Sequence, residues 1–222
     1  MTQQLQETWD AFLREWPIER LRTMTLREYS AAGEGNSFTA WIESRLDQMG
    51  SIWGGSSFKF GIYSRRDKTA KAGSRGASYT QDYAWYTKYG AGPEKAFEKV
   101  RALVVQVAEA AARGDYSAIN AIDLGEAYKW KIAFHYQDRK NPGVVALFTR
   151  RRLQAWLKGR VSPIPEQTSE MHRAILQLEK GKDLLTLSRE VWEAAPGDEA
   201  VKKGNLEDEE DPAEADVPPT TP

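Results

Sequence analysis

Two stretches of the chain combine residue types suited to holding a polyanion and its bases. Between residues 64 and 90 lie Arg65, Arg66, Lys68, Lys71, Arg75 and Lys88, against only Asp67 and Asp82. Cations in such a run attract phosphates. Five aromatic residues crowd into positions 79–89: Tyr79, Tyr83, Trp85, Tyr86 and Tyr89. Flat rings are stacking platforms for an exposed base, and a base flipped out of a helix needs such a pocket. A second basic cluster, Arg150, Arg151, Arg152, Lys158 and Arg160, contains no acid. If both clusters share a face, they form one phosphate-tracking surface, with Ser56, Ser57 and Lys59 lining the approach. The rival reading of the rings is core packing, since Tyr83, Tyr86 and Tyr79 fall at helix-like spacing.

Other chemistries fare worse. The chain has no cysteine, which removes thiol nucleophiles, disulfides and thiolate metal sites. Its two histidines, His135 and His172, lack a visible serine or carboxylate partner and are expected at surface or edge positions. The run from Gly50 to Ser57 has the glycine spacing of a phosphate loop, but Ser56 stands where the phosphate-binding lysine belongs. Asp123, Glu126 and Asp138 flank the segment 128–137, which carries no Glu-x-Lys triplet, so a metal-dependent nuclease remains only a third alternative. No catalytic residue, metal or cofactor is expected.

The elements that must position the two clusters follow from periodicity. Leu5, Trp9, Phe12, Leu13 and Trp16 mark a helix that Pro17 stops. A short helix over 25–29 follows. Ser37 is placed to cap a helix presenting Phe38, Trp41, Ile42, Leu46 and Met49, with Gly50 as its stop. Phe58, Phe60 and Ile62 alternate as in a strand, and residues 64–78 read as a long loop. Pro93 opens a long helix that ends at Gly114. Residues 128–137 also alternate: Tyr128, Trp130, Ile132, Phe134 and Tyr136 against Lys129, Lys131, Ala133, His135 and Gln137. With a turn at Asn141-Pro142-Gly143 and Val144–Phe148 returning, they predict a hairpin with lysines on a solvated face. Helices are expected after Thr149 and over 166–180 and 182–194. The sum is an α+β fold, a small, mostly antiparallel sheet packed with several helices.

Charge divides the chain. Residues 198–222 hold nine acids against Lys202 and Lys203, a net of −7, while residues 1–197 carry +6 within the total of −1. The acidic, Pro-containing end is expected to be a disordered tail or linker, or a mimic of nucleic acid competing for the basic face. Residues 1–197 are expected to be one globular domain. The first residues lack a charged-then-apolar leader, and no apolar run suits a membrane span, so a cytoplasmic protein is expected.

Three segments, 38–63, 83–115 and 121–157, resemble in order the N-terminal specificity region of McrB-like AAA+ proteins of modification-dependent restriction. The likeness spans roughly residues 20–160. It implies a non-catalytic module that binds DNA or a modified base, beside an AAA+ motor and a nuclease subunit. It assigns no catalytic residue. No motor sequence occurs within the 222 residues, which leaves either a freestanding relative or a piece of a longer protein. The expected function is nucleic-acid recognition in a restriction or phage-defence system. The alternative is an assembly module that docks a separate ATPase or nuclease through the helices after Ser162.

Overall fold

Apolar spacing and caps build the first helices as expected. Helix α1 runs from Thr2 to Glu15, burying Trp9 and Phe12, and Pro17 follows it. The computed structural model describes residues 2–53, 56–68 and 76–195, so Lys71, Arg75 and the acidic tail lie outside the described residues. Helices α2 (Ile18–Thr23) and α3 (Leu26–Tyr29) come next, and Thr25 and Glu28 cap α3 reciprocally. Ser37 caps α4 (Phe38–Ala40) by accepting from the Ala40 amide. The helix then widens into a π turn at Trp41–Arg45, followed by a 3-10 turn at Asp47–Met49. Gly50 closes this run at φ +92°, where a Cβ would stand 2.6 Å from the Phe148 ring. Both the dihedral and the contact demand glycine.

A 3-10 turn at Ser57–Phe60 shortens the strand expected there to β1 (Ile62–Ser64). Strands β2 (Ala77–Tyr79) and β3 (Tyr83–Tyr86) complete a three-stranded antiparallel sheet in the order β1-β3-β2. Trp85 lies opposite Ile62 on one side and Ser78 on the other. Tyr83 and Tyr86 therefore sit on a central strand and form no helical stripe. Their bulky rings suit a pleated, half-buried surface. Helices α5 (Pro93–Ala112), α6 (Tyr116–Asn120), α7 (Glu126–Tyr136), α8 (Arg150–Leu157), α9 (Thr168–Leu178) and α10 (Leu184–Ala194) make up the rest of an α+β fold.

The expected hairpin at 128–148 is absent. Its first arm is α7, whose residues from Tyr128 to Tyr136 are all buried. It packs against α5, α1, α6, the π turn and the turn at 57–60. A helix enclosed on every side has no wet face, so the apolar period of 3.6 is erased and a chance alternation survives. Lys129, Lys131 and His135, expected on a solvated face, are buried with it. The Lys129 ammonium caps the carbonyls of Asn120 and Ile122 and pairs with Glu126.

The second arm, Val144–Phe148, joins no sheet and bends at Ala146, where the Leu147 amide donates to the Val145 carbonyl at 2.8 Å. Side chains replace the missing neighbour strand. The Gln137 amide accepts from the Gly143 and Val144 amides and donates to the Val144 carbonyl, each at 2.9 Å. The Val145 amide donates to His172 Nδ1, and that of Ala146 to Ser188 Oγ. Val144, Ala146 and Phe148 face the main core, whereas Val145 and Leu147 face a second one built from α8, α9 and α10. The alternation is real, but it separates two cores and not a core from water. His172, also expected near the surface, is buried here because its ring holds this segment.

Lys131 has no exposed surface, and its Nζ finds no hydrogen-bond partner. Burial holds its pKa down at about 7, partly offset by Asp47 and Glu43. The folded value lies below the unfolded one of 10.5, so stability rises with pH between them. Lys131→Met, which keeps the stem without the amine, is expected to stabilise the protein by roughly 2 kcal/mol near neutral pH. Urea denaturation should show the variant's stability flat over the range in which the parent's climbs.

Candidate nucleic-acid interface

A cleft of about 590 Å³ opens between the turn at 30–37, the π turn and the end of β1. Each wall follows from local structure. The π turn inserts one extra residue per turn, and such turns are frequent at functional sites. Here Glu43, Ser44 and Arg45 of that turn line the cleft. Trp53 stands on its border with 78% of its surface exposed. Phe60 and Tyr63 contribute further ring surface, and Ser57, Ser64 and Arg66 complete this side.

The charges are partly tied. Lys59 Nζ donates to the Ile52 carbonyl at 2.7 Å and pairs with Glu43 Oε1 at 2.8 Å. Glu34, also on the wall, pairs with Arg27 at 2.7 Å. Arg45 lies over the Trp41 ring, 4.5 Å from its centroid. Neither Arg45 nor Arg66 forms an ion pair with a described residue, and both are exposed. The four charged lining residues balance, but Arg27 and Lys59 pair with the two acids from outside the lining, which leaves Arg45 and Arg66 in excess beside an open indole.

Of the residues expected from sequence, Arg66 and Ser57 line the cleft. Ser56 caps the neighbouring turn by accepting from the Phe58 amide, and Lys59 anchors Glu43. Arg65 turns away: its guanidinium covers the Tyr79 ring and donates to the Thr80 carbonyl at 2.6 Å. Lys68 pairs with Asp82 in the open. Tyr83 and Tyr86 are half-buried, and Tyr86 packs on Phe58 with 4.8 Å between centroids.

Two expectations need correction. Trp85 is 3% exposed and its indole N–H donates to the Gly90 carbonyl, so its face offers no stacking surface to a base. Arg152 is buried, with its guanidinium 3.7 Å from the Trp192 ring centroid and bonded to the Trp192 carbonyl. Arg150 lines a separate hollow of about 200 Å³ with Lys158 and Glu166, while Arg151 is half-buried on the same helix. No described cavity is lined by both basic clusters.

Trp53, Arg45, Glu43 and Tyr63 were not singled out by sequence. One signal was available. Trp53 follows Ile52 and precedes Gly54-Gly55, so the sequence sets a large ring beside two glycines where no packing period requires it.

Asp123 and Glu126, the acids of the nuclease alternative, serve structural partners. Asp123 pairs with Lys88 at 2.7 Å. Glu126 pairs with Lys129 and accepts from the Trp130 indole and the Thr168 hydroxyl. Among the described residues, no group of three or more His, Asp or Glu is arranged to hold a metal ion, and no helix is long and apolar enough to cross a membrane.

The chain matches no family model, no curated protein and no solved structure.

Proposed function

We propose that this protein is a nucleic-acid-recognition module of a restriction or phage-defence system, and that the cleft beside Trp53 is its binding site. A base stacks on the Trp53 indole while Arg45 and Arg66 meet the flanking phosphates. The observation that carries this reading is Trp53 itself. An indole left 78% exposed forfeits its burial energy, and it borders a cleft that two arginines share. Stacking on an aromatic ring tolerates any base, and guanidinium groups bind phosphate with two parallel hydrogen bonds. The likeness to the McrB-like specificity region supports the same reading, with DNA as the nucleic acid and an AAA+ motor or nuclease as the partner that acts on it.

Fluorescence anisotropy with labelled duplex, single-stranded and methylated DNA tests the proposal. Affinity is expected to fall with salt, by close to one unit of log–log slope per phosphate neutralised. Trp53→Ala should weaken binding by roughly tenfold or more across sequences. Arg66→Ala should lower the salt slope by about one unit. Absence of binding to every form of DNA at ~50 mM salt ends the proposal.

A second reading, docking of a protein subunit, draws on a mainly apolar groove of about 460 Å³ lined by Leu5, Met49, Ala146, Leu185 and Trp192. Association with an ATPase or nuclease subunit that survives high salt would favour it, because apolar contacts are not screened.

A further inference from the structure

We infer that Glu43 reads the base held in the cleft, accepting a hydrogen bond from an amino group on its edge, so that the site prefers amino-bearing bases to thymine or uracil. The inference rests on the binding reading above and deepens it. Glu34 and Glu43 are the wall residues whose chemistry does not suit a phosphate; Glu34 lies in the open and is tied to Arg27, whereas Glu43 is sheltered. A carboxylate repels the backbone of a nucleic acid, so one held in place beside Arg45 calls for a different partner. It also accepts hydrogen bonds and donates none.

The group is held in place. Oε1 pairs with Lys59 Nζ at 2.8 Å, and Lys59 is itself tied to the Ile52 carbonyl at 2.7 Å. The two side chains are only 28% and 16% exposed, so the pair is sheltered. Oε2 makes no hydrogen bond with a described residue. An anchored acceptor with one occupied and one open oxygen is a pre-organised reader, because little side-chain freedom remains to be lost on binding. Its place on the π turn, next to Ser44 and Arg45, sets it on the same wall as the phosphate-binding arginine.

The edges of the bases then sort themselves. Cytosine and adenine each present an exocyclic amino group, and guanine presents an amino group beside a ring N–H. Thymine and uracil present a single ring N–H between two carbonyls. Those carbonyl oxygens would lie against the carboxylate, acceptor facing acceptor. Carboxylates pair with the cytosine amino group for this reason, and one such contact discriminates by roughly tenfold or more.

The test uses short single-stranded oligonucleotides of deoxycytidine, thymidine and N4,N4-dimethyldeoxycytidine with the full chain. The dimethyl base keeps the ring and its stacking but has no amino hydrogen, so it needs no protein variant. Deoxycytidine is expected to bind roughly tenfold or more tightly than either of the others. In Glu43→Gln, whose amide can donate as well as accept, that gap should close. Failure of every oligonucleotide, single-stranded or duplex, overturns the binding reading itself. Equal affinity for the three probes leaves that reading standing and overturns only the role of Glu43.

Discussion

Acidification to about pH 4.5 is expected to unfold the protein or bring it close to unfolding, and the two histidines are the cause. His135 and His172 have no exposed surface. Burial holds each imidazole at a pKa of about 3, and in His135 the nearby Lys131 adds to the effect. The ordinary value is 6.5, so between 6.5 and 3 the unfolded chain binds a proton that the folded chain refuses. Stability therefore falls as pH drops through that window, by about 1.4 kcal/mol per unit for each ring. Over two units the pair costs roughly 5 kcal/mol, comparable with the whole stability of many domains. The positions sharpen the effect. His172 Nδ1 accepts from the Val145 amide, so a proton there removes an acceptor from the segment between the two cores. His135 Nδ1 lies 2.8 Å from the Lys131 carbonyl, the geometry of an N–H donating along the helix. Urea denaturation followed by tryptophan fluorescence at a series of pH values measures the slope. His172→Asn retains an acceptor near Nδ1 and should halve it. A stability that stays level between about pH 6.5 and 4.5, or a slope unchanged in the variant, contradicts this account.

Gly125→Ala is the substitution expected to do most damage to fold and cleft together. Gly125 precedes α7, and a Cβ on it would stand 2.4 Å from the Lys59 carbonyl oxygen and 3.0 Å from the Lys59 Cα. Both obstacles are backbone, so no rotamer change relieves them. The displaced residue is the one whose ammonium anchors Glu43 and the Ile52 carbonyl. We expect a loss of roughly 3 kcal/mol or more, with weakened oligonucleotide binding in whatever folds. Gly92→Ala supplies the control. Gly92 likewise precedes a long helix without a side-chain cap, but nothing lies within 4 Å of its Cβ position. It should cost less than about 1 kcal/mol. Equal stability of the two variants in urea denaturation would show that the approach of α7 to Lys59 is looser than described.

Helices with one wet face were legible from the chain alone. The stripe of α1, the Ser37 cap, the Pro93 start of α5 and the approximate spans of α9 and α10 all follow from contrast between an apolar face and water, which sequence records directly. The α+β class followed from the same signals. Where that contrast vanishes, so does legibility. Helix α7 is enclosed by helices and turns, and Val144–Phe148 lies between two cores, so each wears the pattern of a strand for a different reason.

The site divides along the same line. Sequence marked Arg66 and Ser57 by charge and hydroxyl in a loop, and both reach the cleft. It marked Trp85 and Arg152 equally, because counting rings and cations does not reveal that one ring is sealed under the sheet and one guanidinium lies flat on Trp192. Which faces are apolar is a local property of neighbouring residues. Which side chains meet is not. Glu43 and Arg45 from a widened helical turn, Trp53 from the segment after Gly50 and Arg66 from beyond a strand line one cleft, with α7 packed against the π turn and the turn at 57–60, and only the tertiary structure decides that.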